Sequence, residues 1–159
     1  MNKILSLVIA LGFLSCNNEA SKEDVTEDTI IEEAFLSPQD KLLWISDFDT
    51  MTGDFVLKHQ RQLPAEEIGV QSLIDDINAA WENIRLEFRK LSGDTIYVAI
   101  PDSKYLTQQM GSAGAGGYIA SVTFNLTELK NIRFVNYDFE EGDHLAPGTF
   151  SREDFKNYR

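Results

Sequence analysis

The chain has one cysteine, two histidines, and 14 basic residues against 26 acidic ones in 159, and each shortage closes off some chemistry. A lone cysteine cannot form an intramolecular disulfide, even in an oxidising compartment. The two histidines, His59 and His144, stand far apart, whereas a transition-metal site usually gathers more than one imidazole. A formal net charge of −12 repels a phosphate backbone, because nucleic-acid binding draws on Lys and Arg releasing counterions. Nucleic acid is therefore not an expected partner, and direct electrostatic adsorption to anionic lipid is disfavoured on the same ground. The apolar run Ile4 to Leu14 falls short of the ~20 residues needed to span a bilayer as a helix. There is no internal repeat. The serines and threonines have no nearby histidine pattern of nucleophilic catalysis. In so acidic a chain no carboxylate pair for glycoside cleavage can be singled out.

The same apolar run is long enough for an export signal. Lys3 supplies the positive n-region, Ser6 and Gly12 alone interrupt the run, and Ser15 is the small residue before a cut. Phe13-Leu14-Ser15-Cys16 resembles a lipobox, with Phe13 where Leu is more usual. The resemblance implies cleavage before Cys16 and a diacylglycerol on its thiol; the plainer reading is a buried or free cysteine. Removing fifteen residues leaves 144, and losing Lys3 takes the net charge from −12 to −13. That length suits one domain and hardly two. Asn17 stands where an aspartate would resemble an inner-membrane retention signal. Lys22-Glu23-Asp24 is similar to the signal that sends lipoproteins of the Bacteroidota to the cell surface. The expectation is an outer-membrane lipoprotein, periplasmic or surface-exposed, held by its N-terminal lipid. Residues 1–15 are then a signal peptide and 16–36 an acidic flexible tether, too polar to offset its ordering entropy. Residues 37–159 form the domain.

Within the domain, Lys41 to Phe48 and Phe55 to Leu63 are extended apolar and aromatic runs. The turn chemistry of Asp49 to Asp54 between them predicts a β-hairpin. Pro64-Ala65-Glu66-Glu67 has the form of a helix start. Val70, Leu73, Ile74, Ile77, Trp81, Ile84, Phe88 and Leu91 advance in threes and fours as one apolar stripe, which predicts a helix ended by Ser92-Gly93-Asp94. Thr95 to Ile100 is a strand. Ala115, Tyr118, Ile119, Val122, Leu126 and Leu129 make a second amphipathic helix, and Ile132 to Phe139 a final strand. The order β-β-α-β-α-β gives an α+β two-layer sandwich, a small mixed sheet with two helices on one face.

Residues 43–143 resemble the GerMN domain, a family named after sporulation and spore-germination proteins. The resemblance is carried first by Tyr118 to Leu129 and by Lys130-Asn131-Ile132-Arg133-Phe134-Val135. These are similar to a helix ending in a Thr-Leu-Thr-type motif, then a turn and a strand. Asn125 replaces the first Thr, and Asn131 replaces a Gly. Asp102 to Gly111, with Tyr105 and Leu106, and the hairpin Leu43–Phe48 with Leu57–Pro64 fit as well. The family implies an α+β module that assembles or binds in the envelope, in some members as rings around secretion-like channels. It brings no enzyme activity and no catalytic residue. Nothing else in the chain signals sporulation, and that role is not carried over.

Three segments could carry chemistry. Gly111-Ser112-Ala113-Gly114-Ala115-Gly116-Gly117 precedes a helix, and its amides could hold an anion. It lacks the Gly-Lys-Ser/Thr of a Walker loop, and Ile119 stands where a dinucleotide fingerprint has its third glycine. We read it as a glycine-rich flexible loop, with Gly111, Ser112, Gly114, Gly116 and Gly117 the first choice for binding. Glu140, Glu141, Asp143 and His144 gather oxygen and nitrogen donors after a strand, although a solvated acidic turn is the better account of them. Asp47, Asp49 and Asp54 have a faint calcium-loop look without its glycine or terminal Glu. Asp28-Thr29-Ile30, Asp49-Thr50-Met51 and Asp94-Thr95-Ile96 resemble the O-glycosylation acceptor motif of Bacteroidota. The function expected is a lipid-anchored, non-enzymatic envelope binding or assembly module without a cofactor or metal. An envelope protein, a glycan or further copies of itself would be its partners. The alternative is a small hydrolase of cell-wall or surface glycan.

Overall fold

The computed structural model describes residues 36–158. The segments read as a signal peptide and a tether, with Cys16 and Asp28-Thr29-Ile30, fall on residues 1–35 and lie outside them. Strands β1 (Trp44–Asp49) and β2 (Asp54–His59) pair antiparallel, with Trp44 opposite His59 and Asp49 opposite Asp54. The turn between them closes through Gly53 N–H donating to the Asp49 carbonyl at 2.8 Å, and the Asp49 carboxylate accepts the Met51 amide at 2.8 Å. The hairpin is thus the one the sequence predicts, shorter at its open end.

The next expectation is corrected. Pro64 to Glu67 is a turn, its Glu67 amide bonded to the Pro64 carbonyl at 2.9 Å, and helix α1 starts only at Val70 and stops at Ala80. Of the long stripe, Leu73, Ile74 and Ile77 form its buried face. Ile84 and Leu86 are buried in the connection, and Phe88 and Leu91 belong to strand β3 (Glu87–Ser92). The Asn78 side chain holds this reversal by accepting from the Leu86 amide at 2.7 Å and donating to the Leu86 carbonyl at 2.9 Å. Helical spacing misleads here because β3 carries a bulge at Arg89. Phe88 opposes Val98 and Leu91 opposes Ile96 in strand β4 (Thr95–Ala99), so a three-residue step keeps both on the side of those buried partners, although on this edge strand both stay exposed. Ser92-Gly93-Asp94 is the turn of this second hairpin.

After β4 the chain makes a π-helical turn (Tyr105–Gln109) and helix α2 (Gly111–Leu126). It returns as β5 (Phe134–Asp138), parallel to β4, and β6 (Gly148–Phe150), antiparallel to β5. The four-stranded sheet runs β3-β4-β5-β6. The observed order is β-β-α-β-β-α-β-β, still α+β with a mixed sheet. Alternation sets its faces: Ile96, Val98, Val135 and Tyr137 point inward and are buried, where α1 meets β3 and α2 meets β5. Each large apolar side chain so buried contributes roughly 1.5–3 kcal/mol.

Helix α2 is buried nearly all round, from Ala115 through Leu126, because the sheet lies against one side and the β1–β2 hairpin against another. A helix enclosed in this way carries small and apolar residues on every face rather than one stripe. Its C-terminal end is wrapped by the chain after β6, a segment without clear periodicity in the sequence. Ser151 and Asp154 form a capping box that starts a 3₁₀ turn (Arg152–Phe155), and Phe155 is buried beneath it. Among the described residues no helix is long and apolar enough to cross a membrane.

Candidate functional site

The glycine-rich segment is not a loop. Gly111, at φ 72°, makes the left-handed turn out of the π-helical turn, and Ser112 to Gly117 are the first turns of α2. Each helical glycine costs about 1 kcal/mol relative to alanine, and close packing explains why it is kept. A Cβ on Gly117 would stand 3.0 Å from the Phe55 ring and 3.1 Å from Ser46 Oγ, and one on Gly116 would stand 2.7 Å from Tyr158 Oη. A Cβ on Gly114 would stand 3.2 Å from Met110 Cβ. The glycines let the hairpin and the C-terminal segment approach the helix axis.

The second candidate segment meets the first. His144 Nδ1 lies 3.2 Å from Ser112 Oγ, so the helix N-terminus and the acidic turn share one corner of the molecule. The backbone fixes this corner: His144 N–H donates to the Thr107 carbonyl at 3.0 Å and Gly142 N–H to the Leu145 carbonyl at 3.1 Å. Gly142 sits so close to the π-helical turn that a Cβ there would be 2.5 Å from Thr107 Oγ1. Glu140, Glu141 and Asp143 do not close round His144. Among the described residues no group of three or more His, Cys, Asp or Glu side chains is placed to hold a metal ion. Around the first hairpin, Lys58 Nζ holds Asp47 at 2.6 Å and lowers its carboxyl below the usual range. The Met51 amide does the same for Asp49. Thr50 is exposed in the hairpin turn, whereas Thr95 is a half-buried residue of β4.

The motif that carries the family resemblance is structural in this chain. Asn125, fully buried, accepts the amides of Leu43 (2.8 Å) and Trp44 (3.2 Å) and donates to the carbonyls of Trp44 (2.6 Å) and Ser121 (2.8 Å). One side chain therefore fastens β1 to α2. Thr127 Oγ1 accepts Arg152 Nε at 2.7 Å. Arg152 also donates to the Phe124 carbonyl at 3.0 Å and to Glu128, and its guanidinium lies over the rings of Trp44 and Phe124. Trp44 Nε1 donates to the same Glu128 carboxylate at 2.8 Å, and His59 stacks on Trp44 with ring centroids 4.3 Å apart. Burial alone would raise the Glu128 carboxyl. The hydrogen bonds from Arg152 and Trp44, with the neighbouring positive charges, carry it below its ordinary range. Arg152 gave no signal in the sequence.

What remains open is the outer face of the four-stranded sheet. Strand pairing puts Lys90, Tyr97, Asn136 and Thr149 in one row across all four strands, with Thr95 and Phe134 in the row beside it. Tyr97, Asn136 and Phe134 are half-buried, and Lys90 and Thr149 are exposed. Lys90 Nζ lies 4.7 Å from the Tyr97 ring centroid, and the Arg133 guanidinium lies 5.4 Å from that of Phe134. Asn136 Nδ2 donates to Thr149 Oγ1 at 2.7 Å. Rings, an amide, a hydroxyl and two cations thus share one two-sided sheet's solvent face, a mixture suited to contact with a polar surface. The alternation in Thr95–Ala99 and Phe134–Asp138 marks these residues as outward-facing, the signal by which sequence alone could have found them.

No family model and no curated protein matches the chain. Among solved structures the chain is similar to the tandem GerMN domains of the sporulation protein GerM from Bacillus subtilis, with 14% identity and a TM-score of 0.45. The match covers 71% of this chain, which spans 45% of that structure.

Proposed function

We propose that this chain is a lipid-anchored, non-enzymatic binding or assembly module of the bacterial envelope. The observation that carries the reading is the open outer face of the four-stranded sheet, where Tyr97 and Phe134 sit among Lys90, Arg133, Asn136 and Thr149. The anchor rests on the leader-like residues 1–15 followed by the only cysteine, Cys16. A lipid there, on the outer membrane, would leave the acidic domain free in the periplasm or at the surface. An envelope protein, a glycan or another copy would meet the sheet face. Replacing Tyr97 by a photo-crosslinking amino acid in cells tests the surface: the reading expects a discrete envelope adduct that disappears when Phe134 is changed to Ala. An adduct pattern that Phe134→Ala leaves untouched argues against it. Cys16→Ala tests the anchor, which requires the variant to leave the membrane fraction without acyl chains.

A small envelope hydrolase is the second reading, favoured by the Ser112–His144 pair at the α2 N-terminus. A serine beside an imidazole at the positive end of a helix has the start of an acyl-transfer site. Ser112→Ala abolishing release of ester-linked acyl groups from purified cell-wall or surface glycan would establish it, and unchanged release would remove it.

A further inference from the structure

A cleft of about 370 Å³ opens where the described chain begins. Its walls are mostly apolar: Ala80 and Trp81 at the end of α1, Ile84 beyond it, Tyr105 and Met110 from the π-helical turn, and Pro38 on the near side. Ser37 and Gln39 complete that near side. Gln39 is fixed there, its side chain donating to the Ala80 carbonyl at 2.8 Å and its carbonyl accepting from Gln60 Nε2 at 3.1 Å. The preceding chain therefore leaves from the lip of the cleft. Between Cys16 and Trp44 the sequence has a single aromatic residue, Phe35, and it stands two residues before Ser37. Consecutive Cα atoms are about 3.8 Å apart, which keeps Phe35 within roughly 8 Å of that lip. Residues 17–34 before it carry seven acids and one lysine. Their largest apolar side chains, Ile31 and Ile30, stand four and five residues further from the lip than Phe35, between Asp28 and Glu32-Glu33, whose carboxylates lose by burial against an apolar wall.

We propose that the cleft is the seat of the chain's own Phe35, which fills the space between Trp81, Tyr105 and Met110. Where the chain ends and what chemistry ends it decide the occupant: an aromatic ring is placed at the rim of an aromatic and thioether pocket, after a stretch too charged to enter. Met110 adapts its shape to an incoming ring. The seat fixes the point at which the tether departs. Only residues 17–34 then lie between Cys16 and the domain, a reach of at most about 70 Å. The proposal holds whether or not Cys16 is acylated.

The test uses the full chain with a benzophenone amino acid in place of Phe35. Irradiated at low concentration, it is expected to give an intramolecular crosslink to Met110, Trp81 or Tyr105, found by peptide mapping. A crosslink to a second copy or another protein, or none, overturns the proposal. A second arm follows amide hydrogen exchange in Phe35→Ala. Exchange should rise about tenfold across 79–84 and 105–110 and stay unchanged across the hairpin 44–59, with Phe35→Trp restoring protection. Equal exchange in the cleft walls of Phe35→Ala and the parent chain also overturns it.

Discussion

The two sheets of this domain are held in different ways. The four-stranded sheet is fastened by area: Ile96, Val98, Val135 and Tyr137 lie under the helices with almost no exposure. The β1–β2 hairpin has only two strands and half-buried side chains, too little to be stable alone. Besides the half-buried Trp44, Ile45 and Leu57 that pack against the core, it is fastened by a few directed polar bonds to Asn125, Ser121 and the Arg152-paired Glu128. Apolar burial tolerates small shifts, whereas a bonded anchor is lost with one atom. The hairpin's dependence is therefore concentrated in few residues, and the sheet's is spread over many.

Asn125→Ala should break this contrast most. It strips partners from the Leu43 and Trp44 amides at once, and each buried unsatisfied group costs roughly 1–3 kcal/mol. A loss of about 4 kcal/mol is expected in denaturant unfolding, and a loss under about 1 kcal/mol would deny the anchor its role. Ile96→Ala should cost about 3 kcal/mol through a cavity under the helices. Here hydrogen exchange should rise in β4, β5 and α2 together, with no selective loosening of β1 and β2. Arg152→Ala removes bonds to Thr127, Phe124 and Glu128 at a cost of about 2 kcal/mol. Its signature should be faster exchange in the hairpin and in residues 148–158.

The smallest effect is on acid stability. Glu128 has a lowered pKa in the folded protein, so the native state binds that proton less tightly than the unfolded chain does. Its contribution is complete above the unfolded value of about 4.3 and is lost as pH falls through the lower folded value. Glu128→Gln should therefore flatten the dependence of stability on pH below about 4. The unfolding midpoint near neutral pH should fall by less than in Arg152→Ala. An acid limb as steep as in the parent would assign the dependence to other carboxylates.

Much of this was legible in the sequence. The first hairpin, strand 95–99, the second helix and the strand before Asp138 follow from alternation and helical spacing, and the α+β class follows from their order. The stripe from Val70 to Leu91 was not legible, because a bulge at Arg89 sets the spacing of Phe88 and Leu91 at three residues, which a helix also gives. The glycines of α2 have the local propensity of a loop, and only contact with Phe55 and Tyr158 explains them in a helix. The meeting of Ser112 and His144, 32 residues apart, and the role of Arg152 arise from chain return, which no local pattern records.

The manner in which β1 is fastened also governs how the molecule bears load. A pull on the chain at Ser37 reaches Gln39 and its bond to Ala80 first, then Leu43 and Trp44 and their bonds to Asn125. Those bonds sit in series, so tension opens them one after another, and the buried Leu42 and Leu43 between them are drawn from the edge of the core as they go. The hairpin yields first under force, and the four-stranded sheet keeps its outer surface presented while it does.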